Sequence, residues 1–405
     1  MHASDAQGDR GAGPVIIVAA SLAVMFIGAT LPAPLYPLYR QRFGFSEVTL
    51  TLVYSVYVVG NLGALFFFAR LSDQIGRKVT AWPAIGIGML SAAAFGFAGG
   101  TTWLFVARAL SGFATGLTSS TLTAWIAELQ SRGRGNAGAV TASVANFSGL
   151  AIGPLIGGLP AQLALQPLRL PFAVYFAALL VVAIALLRVR ETVKAPKRQL
   201  AAVSLRPRLG VPRELIAAFT APAVTAFVTF AVIGFYAALI PGVLSDALKE
   251  TRPLVSGGVL FLLFTVAAVA VIATRGMASR TAMLTGLALF PLAVALLIMA
   301  EHMHRLSLLL AASALTGGAA SLGYRGSLAV VNRIAPEERR GEVVSTYLIV
   351  MFSGNSLPVI GIGLLSAQTG PASAHAAFAG LIILLALLGL SVGWRYAPAD
   401  HTWGS

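Results

Sequence analysis

The sequence predicts an all-α polytopic membrane protein, with twelve transmembrane helices in two pseudo-symmetric six-helix bundles. Three observations carry this. Hydrophobic residues make up 57% of the 405-residue chain and charged residues only 10%, against about 25% charged in an average soluble domain. Apolar runs near the roughly 20 residues that a helix needs to cross a bilayer recur from end to end. Lys and Arg gather in alternate loops between those runs. A chain this apolar would expose large sticky patches in water, so lipid is its solvent. The net charge of +14 does not point to nucleic acid, because the basic residues lie in short loops rather than on one face of a domain.

The expected spans in the first half are Pro14–Tyr36, Val48–Arg70, Val79–Ala98, Thr102–Ala127, Ala137–Leu163 and Pro171–Leu187. Those in the second are Leu215–Val243, Leu254–Thr274, Thr281–Ala300, Leu306–Val331, Val343–Ala367 and Ala374–Trp394. With both termini placed in the cytoplasm, inner loops and tails hold 20 Lys and Arg and outer loops hold 6. The positive-inside rule supports that orientation. The polar tail 1–13 lacks the basic region and cleavage site of a signal peptide, so the first apolar run is expected to be retained. Residues 14–187 then form an N-terminal bundle, 188–213 a cytoplasmic linker, 214–395 a C-terminal bundle and 396–405 a C-terminal tail. Pro196, Pro207 and Pro212 mark the linker as irregular.

The halves resemble each other at an offset of about 205 residues, since Asn146-Phe147-Ser148-Gly149 answers to Met351-Phe352-Ser353-Gly354. Arg134-Gly135 falls near Arg340-Gly341, and Arg70 answers to Arg275. Internal repeats of this kind point to a transporter whose site lies between the halves near mid-membrane.

The most informative loop is Ala69-Arg70-Leu71-Ser72-Asp73-Gln74-Ile75-Gly76-Arg77-Lys78, a dense charge cluster between two apolar runs. Charges are costly near the bilayer core, so it sits at the membrane surface. Its Asp-x-x-Gly-Arg-Lys pattern, made by Asp73, Gly76, Arg77 and Lys78, resembles the loop signature of the major facilitator superfamily. The resemblance implies a conformational latch: Asp73 approaches the start of the eleventh span near Gly341, while the basic residues pair with Glu128 at the end of the fourth. A carboxylate at a helix N-terminus gains roughly 0.3–1 kcal/mol from the helix dipole. Gln74 departs from the more usual basic residue, and Glu342 competes with Asp73 for the same helix end.

Two further motifs are similar to those of the superfamily. Arg108, with Gly112 and Gly116, shares one face of the fourth span. Such an arginine either faces a polar interior, as a substrate or proton site, or snorkels to the outer surface. In the fifth span, Gly149, Gly153, Pro154, Gly157 and Gly158 resemble the signature carried by antiporters, drug and metabolite exporters above all. Tight packing is the plainer reading, since small residues let membrane helices approach. Tyr54, Tyr57, Asn61, Phe227, Phe230, Tyr236, Tyr324 and Asn355 are candidates for lining a central cavity, although aromatic residues in membrane helices also serve as packing.

All 14 acidic residues fall in loops, tails or span ends, so the deepest charge is Arg108, which favours anions. The expected activity is proton-coupled efflux of small apolar neutral or anionic compounds, drugs or metabolites, by alternating access. A sugar or nutrient importer is the alternative, and a non-transporting sensor a further one. No enzyme is expected: there is no cysteine, no nucleophile–base pair, no metal-ligand spacing and no phosphate-binding loop. No cofactor or metal is implied. The expected partners are a small-molecule substrate, protons and the lipid bilayer, with the chain acting as a monomer in a bacterial cytoplasmic membrane.

Overall fold

The computed structural model describes residues 12–68, 71–130, 137–163, 166–193 and 209–396. Most of the linker, both tails and the repeat positions Arg70 and Arg134-Gly135 lie outside them. Among the described residues there are twelve long helices: α1 Gly13–Thr30, α2 Glu47–Phe68, α3 Arg77–Gly96, α4 Thr101–Gln130, α5 Ala137–Leu163 and α6 Leu170–Leu186, then α7 Ile216–Asp246, α8 Pro253–Ala273, α9 Ser279–His302, α10 Leu306–Ile334, α11 Arg340–Thr369 and α12 Pro371–Tyr396. A helix satisfies every backbone group within its own segment, which hydrocarbon demands. Among the described residues, ten spans are both long and apolar enough to cross a bilayer, and Leu170–Leu186 is a shorter apolar helix. Thr101–Gln130 falls short on hydropathy, as its Thr and Ser residues and Arg108 dilute a 30-residue helix.

The predicted first span, Pro14–Tyr36, falls within one apolar span, Gly13–Phe43, that is not a single regular helix. Pro32, Pro34 and Pro37 lack the N–H that a continuous helix needs. The chain therefore passes through a 3₁₀ turn, Ala33–Leu35, into a short helix, Tyr36–Phe43, that stops at Gly44 with a left-handed φ of 67°. Most other helices run a few residues beyond their apolar cores. The weakly marked break between the third and fourth spans falls at Gly96 and Thr101.

The two halves repeat each other in packing. Helix α1 lies against α4, α5 and α6, and α7 lies against α10, α11 and α12. The pairs α2–α4 and α3–α6 recur as α8–α10 and α9–α12. The match extends to single glycines. A Cβ on Gly149 would strike the Ala23 carbonyl of α1, and one on Gly354 the Phe227 carbonyl of α7. Gly112 meets the Tyr57 carbonyl of α2, as Gly317 meets the Leu263 carbonyl of α8. Lipid tails are as apolar as the helices, so close backbone approach supplies the adhesion.

Between the halves, α2 packs on α11 and α5 on α8. Among the described residues, two hydrogen bonds cross there: Tyr54 Oη donates to Asn355 Oδ1 at 3.1 Å, and Ser366 Oγ to Glu47 Oε2 at 3.0 Å. Gly158 abuts the Pro253 carbonyl, and Gly257 reciprocally abuts the Pro154 carbonyl. The segments Ala33–Leu35 and Tyr36–Phe43 lean on α7. All these contacts lie between mid-membrane and the face opposite the Asp73 loop, called here the far face.

Glycine crossings make a direct stability test. Gly149→Ala and Gly354→Ala should each lower thermal stability in detergent by the equivalent of about 1–3 kcal/mol, the usual cost of overpacking. Gly318→Ala, where a Cβ meets nothing within 4 Å, should be neutral or stabilising.

Candidate functional site

The charged loop is tied into the N-terminal half. A short helix, Leu71–Ile75, carries Asp73, and Gly76 takes a φ of 115° before α3 begins. That turn buries Arg77 to 5% exposure. Its guanidinium forks onto Glu128 at the end of α4, with Nη2 2.6 Å from Oε1 and Nε 3.3 Å from Oε2. Nη1 donates to Ser72 Oγ at 2.6 Å and pairs with Asp73. Lys78 Nζ donates to the carbonyls of Leu187 and Val189 just beyond α6, at 2.9 and 3.2 Å.

Glu191 completes the cluster, and nothing in the sequence motif signalled it. Its carboxylate accepts the backbone N–H groups of Arg77 and Lys78, both at 2.9 Å. It thereby caps α3 at its positive end, where orphan donors and the dipole favour an anion. A Cβ on Gly76 would come within 2.7 Å of Glu191 Oε2, so both the φ and the space call for glycine. Thr192 Oγ1 in turn donates to Glu128. Asp73 remains 55% exposed and pairs within its own half rather than with α11.

Arg108 is the largest charged side chain in the interior, at 1% exposure. It does not snorkel. Nη1 donates to the Ala29 carbonyl at 3.0 Å, and the guanidinium lies 4.9, 5.2 and 5.9 Å from the rings of Tyr57, Tyr54 and Tyr36. Ring faces attract a cation electrostatically. Gly112 and Gly116 point with it toward α2, against Tyr57 and Asn61. Tyr54 links this cluster to Asn355 of the other half. Beyond it, Phe230 makes edge contacts with Tyr324 at 5.7 Å and Phe352 at 5.8 Å. Phe227 lines the crossing of α7 with α11 through its backbone.

Tyr236 stands apart from that group. It is fully buried within the C-terminal half, where Ser313 Oγ lies 3.4 Å from its hydroxyl. The glycine motif of α5 also divides. Gly149, Gly153 and Gly157 face α1 in the same half, whereas Pro154 and Gly158 face α8 across the seam. Residues of one motif four apart share a helix face, and Gly158 sits one step round from Gly157.

A second feature escaped the sequence. Glu301 ends α9 and His375 lies in the first turns of α12, 74 residues apart, yet they form a buried pair on the far face. No local spacing could reveal it. Among the described residues, no group of three or more His, Cys, Asp or Glu is placed to hold a metal.

Twelve spans in two matched bundles, with a charge-locked loop on one face and a glycine seam between halves, define a polytopic transport protein. The family model described as the Major Facilitator Superfamily matches residues 18–281, and the chain belongs to that superfamily. A multi-drug resistance efflux pump PmrA homolog of Lactococcus lactis is 32% identical over 143 residues, 34% of this chain and 35% of that protein. The quinolone resistance protein NorA of Staphylococcus aureus is 27% identical over 169 residues, 41% of this chain and 42% of that protein. The matches thus span well under half the length of these relatives. Among solved structures, a bacterial homolog to the human lysosomal transporter Spinster, in an inward-facing and unoccupied conformation, superposes with a TM-score of 0.74. It covers 96% of this chain and 98% of its own at 14% identity, a likeness of fold alone.

The loop geometry separates two variants. Asp73→Asn removes an exposed carboxylate, so thermal stability should change by less than about 1 kcal/mol while transport in proteoliposomes falls. Arg77→Ala leaves Glu128, Ser72 and Asp73 without their shared donor and should lower both stability and transport. Parental transport rates in both variants would rule out a latch.

Proposed function

We propose that this transporter exports small apolar neutral or anionic compounds by proton-coupled alternating access, with the Asp73 face toward the cytoplasm and both termini on that side. The observation that carries the reading is the one-sided junction of the halves. The contacts named above between the halves, at Tyr54–Asn355, Glu47–Ser366 and Gly158–Pro253, run from mid-membrane to the far face, while Asp73 pairs within its own half. Such an arrangement suits an inward-facing state. In the outward-facing state the far-face contacts part, and Asp73 is freed to meet the N-terminus of α11, so the loop acts as a latch. Residues 14–187 and 214–395 rock as two bodies joined by the linker 188–213.

Export is supported by the efflux names of the partial relatives and by the Gly-Pro seam of α5. Substrate charge is read from Arg108. Its cluster offers three tyrosine rings, a carbonyl and an Nε that lacks a partner among the described residues, with no carboxylate paired to it. A permanent cation entering here meets a buried positive charge, whereas an anion or a polar neutral group finds a donor. Tyr54, Tyr57, Asn61, Phe230, Tyr324 and Asn355 form the walls. The energy source is the proton gradient, worth about 2.3 kcal/mol per charge for each 100 mV.

Efflux from loaded vesicles provides the test. An apolar anionic or neutral dye should leave saturably, an uncoupler should stop it, and Arg108→Ala should reduce its transport about tenfold, equivalent to about 1.4 kcal/mol. Robust, saturable efflux of a quaternary ammonium dye that persists in Arg108→Ala would overturn the substrate assignment.

A further inference from the structure

The pair made by Glu301 and His375 has no part in the scheme above, and its environment is unusual for a structural contact. His375 is 3% exposed and Glu301 9%. Nδ1 of the imidazole lies 3.1 and 3.0 Å from the two carboxylate oxygens. Phe235 of α7 presents its ring to the imidazole edge-on, 5.1 Å away. The other ring nitrogen, Nε2, is buried with no partner among the described residues. When Glu301 is ionised, Nδ1 carries the proton that it donates, and Nε2 is left as a free proton acceptor.

The pair borders a cavity of about 40 Å³ on the far face, room enough for water, which needs about 10–15 Å³ by this measure. Charged groups reach this cavity from each neighbouring element. Arg40 comes from the short helix Tyr36–Phe43, Glu47 from α2 and Asp246 from α7. His302 follows Glu301 at the end of α9, and His304 lies with Nδ1 2.8 Å from the Ala247 carbonyl. Arg305 follows at the exposed start of α10, while α11 and α12 bring no other ionisable side chain to this end. Glu47 is also the acceptor of the Ser366 bond that joins the halves. The buried pair thus shares its cavity with the far-face closure itself.

We propose that Glu301 and His375 form a proton-binding site that is loaded from the far side and holds the far face closed when occupied. The sign follows from charge. With one proton on the imidazole and Glu301 ionised, the buried pair carries a net negative charge beside two further carboxylates and one arginine. Adding a proton from the outer solution neutralises the pair, either as imidazolium with carboxylate or as imidazole with carboxylic acid. Burying net charge is far more costly than burying a neutral hydrogen-bonded pair. The protonated pair therefore belongs under the closed far face, and the deprotonated pair draws in water and favours opening. This supplies the outward-side proton step that the proposed proton-coupled transport requires, and it rests on that reading only for its energetic role.

The test reads the far-face distance against pH. The chain has no cysteine, so paired thiol spin labels introduced at the exposed positions Arg42 and Gln368 report only on this gap. In the otherwise unaltered protein the open population should grow as pH rises. Glu301→Gln should stay closed as pH rises from neutral to about 9, because a neutral imidazole beside an amide leaves no net charge to bury. His375→Asn should raise the open population at acidic pH roughly tenfold and flatten the response. The double variant should be closed and flat, which covers the case in which His375→Asn alone folds poorly. A gap that titrates in Glu301→Gln as it does without that change, or that does not respond to pH at all, overturns the proposal. Uncoupler-sensitive efflux with a pH-independent gap sinks this site and leaves proton-driven export intact. Uncoupler-insensitive efflux with a gap that follows Glu301 and His375 does the reverse.

Discussion

The architecture depends on how closely two backbones approach where no side chain intervenes. In lipid, apolar burial does not drive one helix onto another, so packing distance has to supply the adhesion. At the seam, Gly158 lies on the Pro253 carbonyl and Gly257 on the Pro154 carbonyl, a reciprocal contact between α5 and α8. Each proline lacks an N–H, and each partner lacks a Cβ. Among the described residues no hydrogen bond joins α5 to α8, so in the proposed cycle these surfaces would part without breaking one. The α2–α11 side adds two, Tyr54 to Asn355 and Ser366 to Glu47. At about 0.5–1.5 kcal/mol each, they contribute less than the roughly 5.5 kcal/mol that separates a 1:99 from a 99:1 population. Closure of that strength is reversible by binding energies of ordinary size.

Charge is distributed to match. On the Asp73 face, Arg77 spends its fork on Glu128 and its remaining arm on Ser72 and Asp73, which makes the loop a rigid extension of its own half. Glu191 ties the first residues after α6 to the start of α3. Movement of the N-terminal half therefore carries the loop with it. In the middle, Arg108 is held by ring faces and a carbonyl rather than by an acid. On the far face, the acids and a histidine gather around one small cavity.

Much of this was legible in the sequence because it is written in local periodicity. Runs of apolar residues fixed twelve spans within a few residues, and the shared Phe-Ser-Gly at Gly149 and Gly354 marked the repeat that the glycine crossings display. The sequence also named Arg77, Glu128 and Arg108, since charges at membrane ends or inside spans are few enough to stand out. What it missed has physical causes. The prolines at 32, 34 and 37 sit in an apolar run, where hydropathy masks a break in hydrogen bonding. Glu191 lies within the expected linker 188–213, and its capping role exists only when α6 ends beside α3. Glu301 and His375 each stand at the end of an expected span. Their meeting depends on α9 packing against α12, which no window of sequence contains. Tyr236 was grouped with the cavity by its residue type, but its helix face turns it into the C-terminal core.

The proposed alternating access through this seam makes one demand that a single experiment can meet. With one spin-label pair flanking the Glu47–Ser366 contact and another between the Asp73 loop and the start of α11, both gaps are followed in the same reconstituted protein while saturating substrate or a pH step is applied. The account predicts opposite changes: the far-face gap lengthens as the loop-face gap shortens, with matching midpoints. Gaps that open together, or a far face that stays shut while transport proceeds, would contradict it.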